Sequence, residues 1–252
     1  MFKHCIRTLA DLLMPRVCLC CGAKLGIEDE HICGACLKDL PQTRYWKLRE
    51  NPMAESFNAL IQNNMGEDVS YRPYGHAAAL YFYKGGYKEI SKSLKYRRNF
   101  AAGRRFARML GTTLSGSQFF QDVDLVVPIP LHWTRRWQRG YNQAEVIARE
   151  VAACLGCPCD ARLLKRARHT RTQTHLNLEG RARNVSGAFR VRISPRKSRQ
   201  GDRPGGGSIH HILIIDDVFT TGATAAACEA AIHQAFSAKT RVSIATLGCV
   251  EH

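Results

Sequence analysis

Apolar residues along this chain recur with two different periods, and the switching between them sets the expected order of elements. Near the start, Ile6, Leu9, Ala10, Leu13 and Met14 fall along one side of a helix covering residues 1 to about 17. "HAAALYFY" (76–83) reads as a strand, "KGG" (84–86) as a turn, and residues 87–96 and 101–114 as helices. "DLVVPIP" (124–130) reads as a buried strand, followed by a basic loop and a helix over 142–155. "SGAFRV" (186–191) has the composition of a strand. Residues 212–215, "ILII", form the unbroken apolar run expected of a strand covered on both faces in a parallel sheet. Beyond it Cys228, Ala231, Ile232 and Ala235 return at helical spacing, and "RVSIATLGCV" (241–250) closes the chain as a strand. Strands alternating with helices predict an α/β fold, a mainly parallel twisted sheet flanked by helices, and no internal repeat is present.

Three stretches lack this patterning. Residues 42–75 are rich in Asn, Glu and Met and read as a connector with one helix around 53–62. Residues 162–183 are strongly basic with little apolar periodicity, and "SPRKSRQGDRPGGGS" (194–208) has the Gly-rich, charged composition of a flexible loop. The expected organisation is an N-terminal helix and cysteine module over 1–41, a connector over 42–75 and an α/β domain over 76–252. At 252 residues, 45% of them hydrophobic, the chain can bury one substantial core and a small appendage. Its apolar runs are too short to span a bilayer, and its first residues lack the uninterrupted apolar core of a secretory signal. A cytoplasmic protein without a membrane span is therefore expected.

Composition adds charge and thiols to this outline. Lys plus Arg number 37 against 21 Asp plus Glu, a formal net charge of +16. The cations cluster in "KYRR", "GRRFAR", "RRWQRG" and "LKRARHTR", a distribution that points to a polyanionic ligand, although ordinary solubility is the plainer alternative. Charge does not separate a nucleic acid from a sugar phosphate. The 11 cysteines are odd in number in a long chain, which argues against a disulfide framework. Cys18, Cys21, Cys33 and Cys36 instead give two C-x2-C pairs separated by 11 residues, with Gly22 and Gly34 free to turn tightly behind them. Two such knuckles present four thiolates to one Zn2+, and four protein ligands leave no open position, so the metal is structural. A redox dithiol is the competing reading, Cys20 blurs the register, and His31 offers an alternative ligand. "CLGCPC" (154–159) holds Cys154, Cys157 and Cys159 without a second pair nearby and reads as a helix end with packed or idle thiols.

The run "DDVFTTGAT" (216–224) places Asp216 and Asp217 at the end of the apolar strand and Thr220, Thr221, Gly222, Ala223 and Thr224 at the start of the next helix. Backbone N–H groups at a helix N-terminus converge on phosphate, small residues permit close approach, and hydroxyls add donors. Carboxylates beside such a cup suit vicinal hydroxyls, with or without Mg2+. The loop has no G-x4-G-K-[ST] pattern and is not a Walker A loop. An ordinary strand-to-helix turn with capping threonines is the competing reading; it accounts for one threonine but not for both acids.

This loop resembles the phosphoribosyl pyrophosphate (PRPP) motif of type I phosphoribosyltransferases, and the chain resembles the ComF/GntX branch in particular. "VVPIPLHWTRRWQRGYNQAEVIA" (126–148), "KRARHTRTQTHLNLEGRARNVSGAF" (165–189), "KGGYKEISKSLKYRRN" (84–99) and the cysteine knuckles carry the likeness. The resemblance implies a type I phosphoribosyltransferase-like fold with an N-terminal zinc ribbon. It implies that Asp216 and Asp217 hold ribose hydroxyls and that 220–224 binds the 5-phosphate. Arg135, Arg139, Asn142 and Gln143 would form the pyrophosphate loop. Arg168, Thr170, Gln173, Leu176, Arg181 and Asn184 would lie in a mobile segment (165–185) that closes over the site, with Arg168 among the catalytic residues. Residues 42–75 contain no cysteine, unlike the second cysteine set of many relatives, so a single zinc site is expected.

Three functions compete. The first is a Mg2+-dependent phosphoribosyltransferase with an unassigned acceptor, for which no general base is evident. The second is a non-catalytic module in DNA uptake or competence that binds single-stranded DNA or competence-machinery proteins. Trp133, Trp137 and Tyr141 interleave with Arg135, Arg136 and Arg139 as a stacking platform would, although Trp137 and Tyr141 equally suit core packing. The third, a zinc-dependent hydrolase, is disfavoured by the closed four-cysteine site.

Overall fold

The computed structural model describes residues 16–65, 72–96, 99–131, 140–166, 188–192 and 208–251. The expected N-terminal helix, most of the basic loop after residue 131, the segment 167–187 and the Gly-rich stretch up to residue 207 lie outside them.

Four parallel strands form the central sheet. β1 (Ala77–Phe82), β2 (Leu125–Pro128), β5 (His211–Phe219) and β6 (Arg241–Cys249) lie in the order β1-β6-β5-β2. The "ILII" run therefore occupies an interior strand, as its lack of polar alternation requires. Its side chains still point alternately to opposite faces. Leu213 and Ile215 enter one core with Tyr87, Ile90 and Leu94 of α3 (Gly86–Tyr96), Phe106 and Leu110 of α4 (Phe100–Ser115) and Ile147 and Val151 of α5 (Gln143–Leu155). Ile212 and Ile214 enter the other, with Phe57 and Ile61 of α2 (Pro52–Met65) and Ala226 and Ile232 of α6 (Ala223–His233). Outside β2 the sheet gains one further rung: Val126 N–H donates to Pro158 O at 3.0 Å, and Asp160 N–H donates to Val126 O at 3.0 Å.

β5 runs four residues beyond the apolar stretch that predicted it. It continues through Asp216 and Asp217 to Phe219, with Asp216 paired to Thr246 and Val218 to Gly248. The acids thus lie inside the strand, not after it, because β6 supplies ladder partners over the same length. Gly248 is small for a reason: a Cβ there would lie 2.4 Å from Cε1 of the buried Tyr87 ring.

Residues 42–65 are fixed by polar contacts more than by apolar rhythm. Thr43 Oγ1 donates to Ala79 O, and Asn51 Nδ2 donates to Ala77 O at 3.0 Å while its Oδ1 accepts from Ala54 N–H at the start of α2. Met53, Ala54, Phe57 and Ile61 then bury against the sheet. A short antiparallel pair, β3 (Leu164–Arg166) with β4 (Phe189–Val191), joins the same core through Leu164 and Phe189. β3 falls in the stretch read as basic and aperiodic, since three residues with one buried side chain carry no detectable period.

The cysteine module is continuous with the first core. Cys18, Leu25, Ile32 and Leu40 bury alongside Tyr81, Tyr87 and Ile90, and Cys20 Sγ lies 3.5 Å from Gly86 O at the foot of α3. α1 (Gly34–Lys38) belongs to this module. Burial first, then the Cys18 charge, push the Cys20 thiol up to about 11, so it remains a thiol able to donate to that carbonyl.

At the amino end of the sheet, polar residues clasp the strands together. Asp124 Oδ2 accepts from His210 N–H at 2.6 Å and His211 N–H at 3.1 Å, and the His211 ring bridges Asp122 Oδ1 at 2.7 Å and Ser243 Oγ at 2.8 Å. This Ser–His–Asp line is not a hydrolytic site: Ser243 is 0% and His211 1% exposed, and Ser243 Oγ also accepts from His76 N–H. Among the described residues no helix is long and apolar enough to cross a membrane.

Two outcomes test this packing. Gly248→Ala drives a methyl into Tyr87 on an interior strand and is expected to cost about 1–3 kcal/mol in urea unfolding. His76 packs between Tyr74, Phe119 and Phe120; burial, then the Arg241 charge, hold its imidazole at about 4, below its ordinary 6.5. Between these values the unfolded chain binds the proton and the folded chain does not, so the contribution to stability rises with pH. Relative to His76→Phe, the wild type should lose about 1.4 kcal/mol per pH unit on acidification through that window, read from unfolding curves at each pH.

Candidate functional site

The carboxyl end of β5 brings the acid pair and the helix N-terminus into one place. Phe219 closes the strand, Thr220 and Thr221 are exposed, and Gly222 stands at the cap position of α6 with φ 78°. Left-handed backbone favours glycine here, and space demands it too, since a Cβ would meet Phe219 Cζ at 2.7 Å and Leu60 Cδ1 at 3.1 Å. The first helical bond is Ala226 N–H to Gly222 O at 2.9 Å, which leaves the amides of Ala223, Thr224 and Ala225 as the donors of the first turn. The residue at the cap position is a glycine and gives the first turn no side-chain bond of its own.

Asp216 and Asp217 are both half-buried. Burial, then the charge of Asp217, push the Asp216 carboxyl up to about 8, partly offset by the Asp217 N–H that donates to its Oδ1 at 2.8 Å. On the α6 side, the Asp216 charge adds to burial in raising the Cys228 thiol. On the α3 side, Asp217 Oδ2 meets Lys95 Nζ at 3.1 Å. Among the described residues no third Asp, Glu, His or Cys joins the two acids as a ligand group, so they offer a partial shell and not a closed cage.

Lys95 is the residue that sequence reasoning passed over. It sits in "KYRR" as one cation among many, although the buried face Tyr87, Ile90, Ser91 and Leu94 places position 95 at the edge of the packed side of α3. Beside Asp217 a small apolar cleft opens between Tyr87, Leu94, Phe100, Tyr141, Ile147 and Leu247.

The loop after β2 begins and ends at this site. Ile129 N–H donates to Ile215 O at 2.9 Å, and Asn142, expected in the pyrophosphate loop, closes its base: Nδ2 donates to Ile129 O at 3.0 Å and Oδ1 caps α5 through Ala144 N–H at 3.2 Å. Gln143 is buried in the first turn of α5. Tyr141 packs on Phe100 with ring centroids 4.5 Å apart and donates through its hydroxyl to Leu94 O, a core contact and not a free stacking face. Arg135, Arg136, Arg139, Trp133 and Trp137 lie outside the described residues, as do Arg168, Thr170, Gln173, Leu176, Arg181 and Asn184.

The four expected zinc ligands converge. The Sγ atoms of Cys18, Cys21, Cys33 and Cys36 lie within 4.8 Å of one another, and Cys20 N–H and Cys33 N–H each donate to Cys18 Sγ at 3.4 Å. Burial pushes the Cys18 thiol up, but backbone N–H groups of Cys21, Cys33 and Cys20 outweigh it and bring the group down to about 6; burial and the neighbouring thiols push Cys36 up. This donor set can hold a structural metal such as zinc. His31 is not part of the group; with φ 65° it turns away to line a groove between the module and α4. Cys154, Cys157 and Cys159 form no ligand group among the described residues, and burial raises the Cys157 and Cys159 thiols to about 11. No disulfide forms among the described cysteines.

The groove that His31 lines is basic. Arg16, Arg104, Arg105 and Arg108 border it, partly balanced by Glu30, which pairs with Arg105 at 3.1 Å, and by Glu150, which pairs with Arg108 at 2.8 Å.

No protein-family model matches the chain. Known proteins do. The DNA utilization protein YhgH of Salmonella typhimurium is 28% identical over 219 residues, 85% of this chain and 89% of that protein. Competence protein F of Haemophilus influenzae is 24% identical over 230 residues, covering 88% and 86% of the two chains. Competence protein ComFC of Bacillus subtilis is 26% identical over 216 residues, covering 84% and 77%. A parallel α/β sheet, a four-cysteine knuckle and similarity to these competence and DNA utilization proteins over most of the chain support the ComF family.

Proposed function

We propose that the carboxyl end of the sheet binds PRPP or a related ribose phosphate together with Mg2+, and that the protein transfers phosphoribose to an acceptor. The observation that carries this reading is the juxtaposition of Asp216 and Asp217 with the N-terminus of α6 behind Gly222. The first-turn amides and the exposed Thr220, Thr221 and Thr224 suit a terminal phosphate, and the carboxylates suit the vicinal ribose hydroxyls. A pair of acids also suits Mg2+, which takes one or two carboxylates and completes its shell with water and ligand phosphates. When bound, Mg2+ would neutralise charge on the departing pyrophosphate. Arg135 and Arg139 would share that role, and Arg168 in the 165–185 segment would help shield an oxocarbenium-like centre from water. Asn142 ties the two ends of the expected pyrophosphate loop together, and its amide keeps a second N–H for a ligand.

A second reading has its own observation. The relatives are named for DNA utilization and competence, and the groove lined by Arg16, Arg104, Arg105 and Arg108 offers a cationic track separate from the acid pair. In that reading the chain is a cytoplasmic module of DNA uptake that binds single-stranded DNA, and the ribose phosphate site is retained without turnover.

Calorimetry separates the two. Wild-type, zinc-loaded protein should bind PRPP in the presence of Mg2+, and Asp216→Asn/Asp217→Asn should weaken that binding about tenfold or more, as removal of hydrogen bonds to charged groups does. Undetectable wild-type binding overturns the phosphoribose reading, and unchanged binding in the double variant overturns the ribose contact. For the groove, Arg104→Ala/Arg108→Ala should lower affinity for an oligo-dT strand while leaving PRPP binding intact. On a log–log plot its salt dependence should flatten by about 0.7 for each phosphate no longer neutralised.

A further inference from the structure

Every charge near the acid pair bears on how a divalent cation could reach it, and one of those charges is already in place. Lys95 Nζ stands 3.1 Å from Asp217 Oδ2, with the two side chains only 19% and 24% exposed. The backbone under this lysine is fixed, because α3 buries Tyr87, Ile90 and Leu94 and the Tyr141 hydroxyl donates to Leu94 O. Its position in the last turn of α3 favours a cation through the helix dipole. The stem, in contrast, is a flexible four-carbon chain, and a second station lies within its reach: Nζ is also 5.7 Å from the centroid of the Tyr83 ring.

We infer that Lys95 makes divalent-cation binding at Asp216 and Asp217 conditional on the phosphorylated ligand. In the ligand-free protein the ammonium holds the cation position beside Asp217. An ammonium and a divalent ion within about 4–5 Å of each other repel strongly even under water-like screening, so the metal by itself binds poorly. A ligand that brings phosphates offers Lys95 a new partner and draws its charge off the carboxylate, and the cation then enters with the ligand. Coupling of this kind is reciprocal: the metal raises affinity for the ligand by the same factor as the ligand raises affinity for the metal. Lys95 is thus a positioning residue that orders assembly of the site, and the inference rests on the ribose phosphate reading only for the identity of the ligand.

The test uses full-length, zinc-loaded protein with Mn2+ as the metal probe, free Mn2+ being followed by electron paramagnetic resonance. Without PRPP, Lys95→Met should bind Mn2+ about tenfold or more tightly than the wild type, Lys95→Arg should behave as the wild type, and Lys95→Met/Asp217→Asn should lose the gain. With PRPP, the rise in Mn2+ affinity should be large in the wild type and small in Lys95→Met. Equal Mn2+ affinity in wild type and a folded Lys95→Met protein, judged by an unchanged melting curve, overturns the inference, as does a gain that survives Asp217→Asn. A gain in Lys95→Met when neither protein binds PRPP upholds exclusion of the metal by Lys95 and defeats the phosphoribose reading alone.

Discussion

Burial of β5 on both faces is the constraint on which the remainder of this structure depends. A strand flanked by β2 and β6 and covered by α3 to α5 on one face and α2 and α6 on the other has no solvent until its carboxyl end. There the sequence changes from Ile212–Ile215 to two aspartates without leaving the ladder. The cost of half-burying two adjacent carboxylates is met locally, by a backbone N–H on Asp216 and by the ammonium of Lys95 on Asp217, while burial and the neighbouring Asp217 charge raise the Asp216 carboxyl above its ordinary range. An acid pair held in this way is set for a cation or a polyhydroxylated ligand, either of which replaces what the protein supplies for itself.

The strands and helices that carry this site are legible in the sequence because their apolar periods are long and uninterrupted. The apolar run of 212–215, the β-branched-rich stretch 241–250, the helical face from Tyr87 to Leu94 and the spacing of the four cysteines each correspond to a physical requirement: burial on two sides, burial on one side, tetrahedral thiolates. What escapes the sequence does so for equally physical reasons. The seating of residues 42–65 depends on Thr43 and Asn51 reaching carbonyls of β1, and polar side chains of that kind leave no period. The extension of β5 through the acids depends on ladder partners in β6, a whole helix further along the chain. Lys95 is visible as a charge but not as a partner, since only the path of α3 across the sheet brings it to Asp217.

The arrangement of charge also refines what a net +16 means for this chain. Among the described residues the arginines of α4 border a groove shared with the cysteine module, where Glu30 and Glu150 temper them, while the lysine of the acid site is engaged with Asp217. Positive charge therefore serves different surfaces in different ways, and one polyanion need not account for all of it.

The contact between Cys20 and Gly86 gives the amino-terminal knuckle a place in this scheme. Gly86 begins the helix whose far end presents Lys95, and a Cβ at Gly86 would lie only 3.0 Å from the Cys20 sulfur. A chain begun after residue 41 would lose Cys18, Leu25, Ile32 and Leu40 from the first core and strip the footing from that helix. The cysteine module thus packs beneath the amino end of the helix whose last turn presents Lys95, and it forms part of the wall that faces the acid pair.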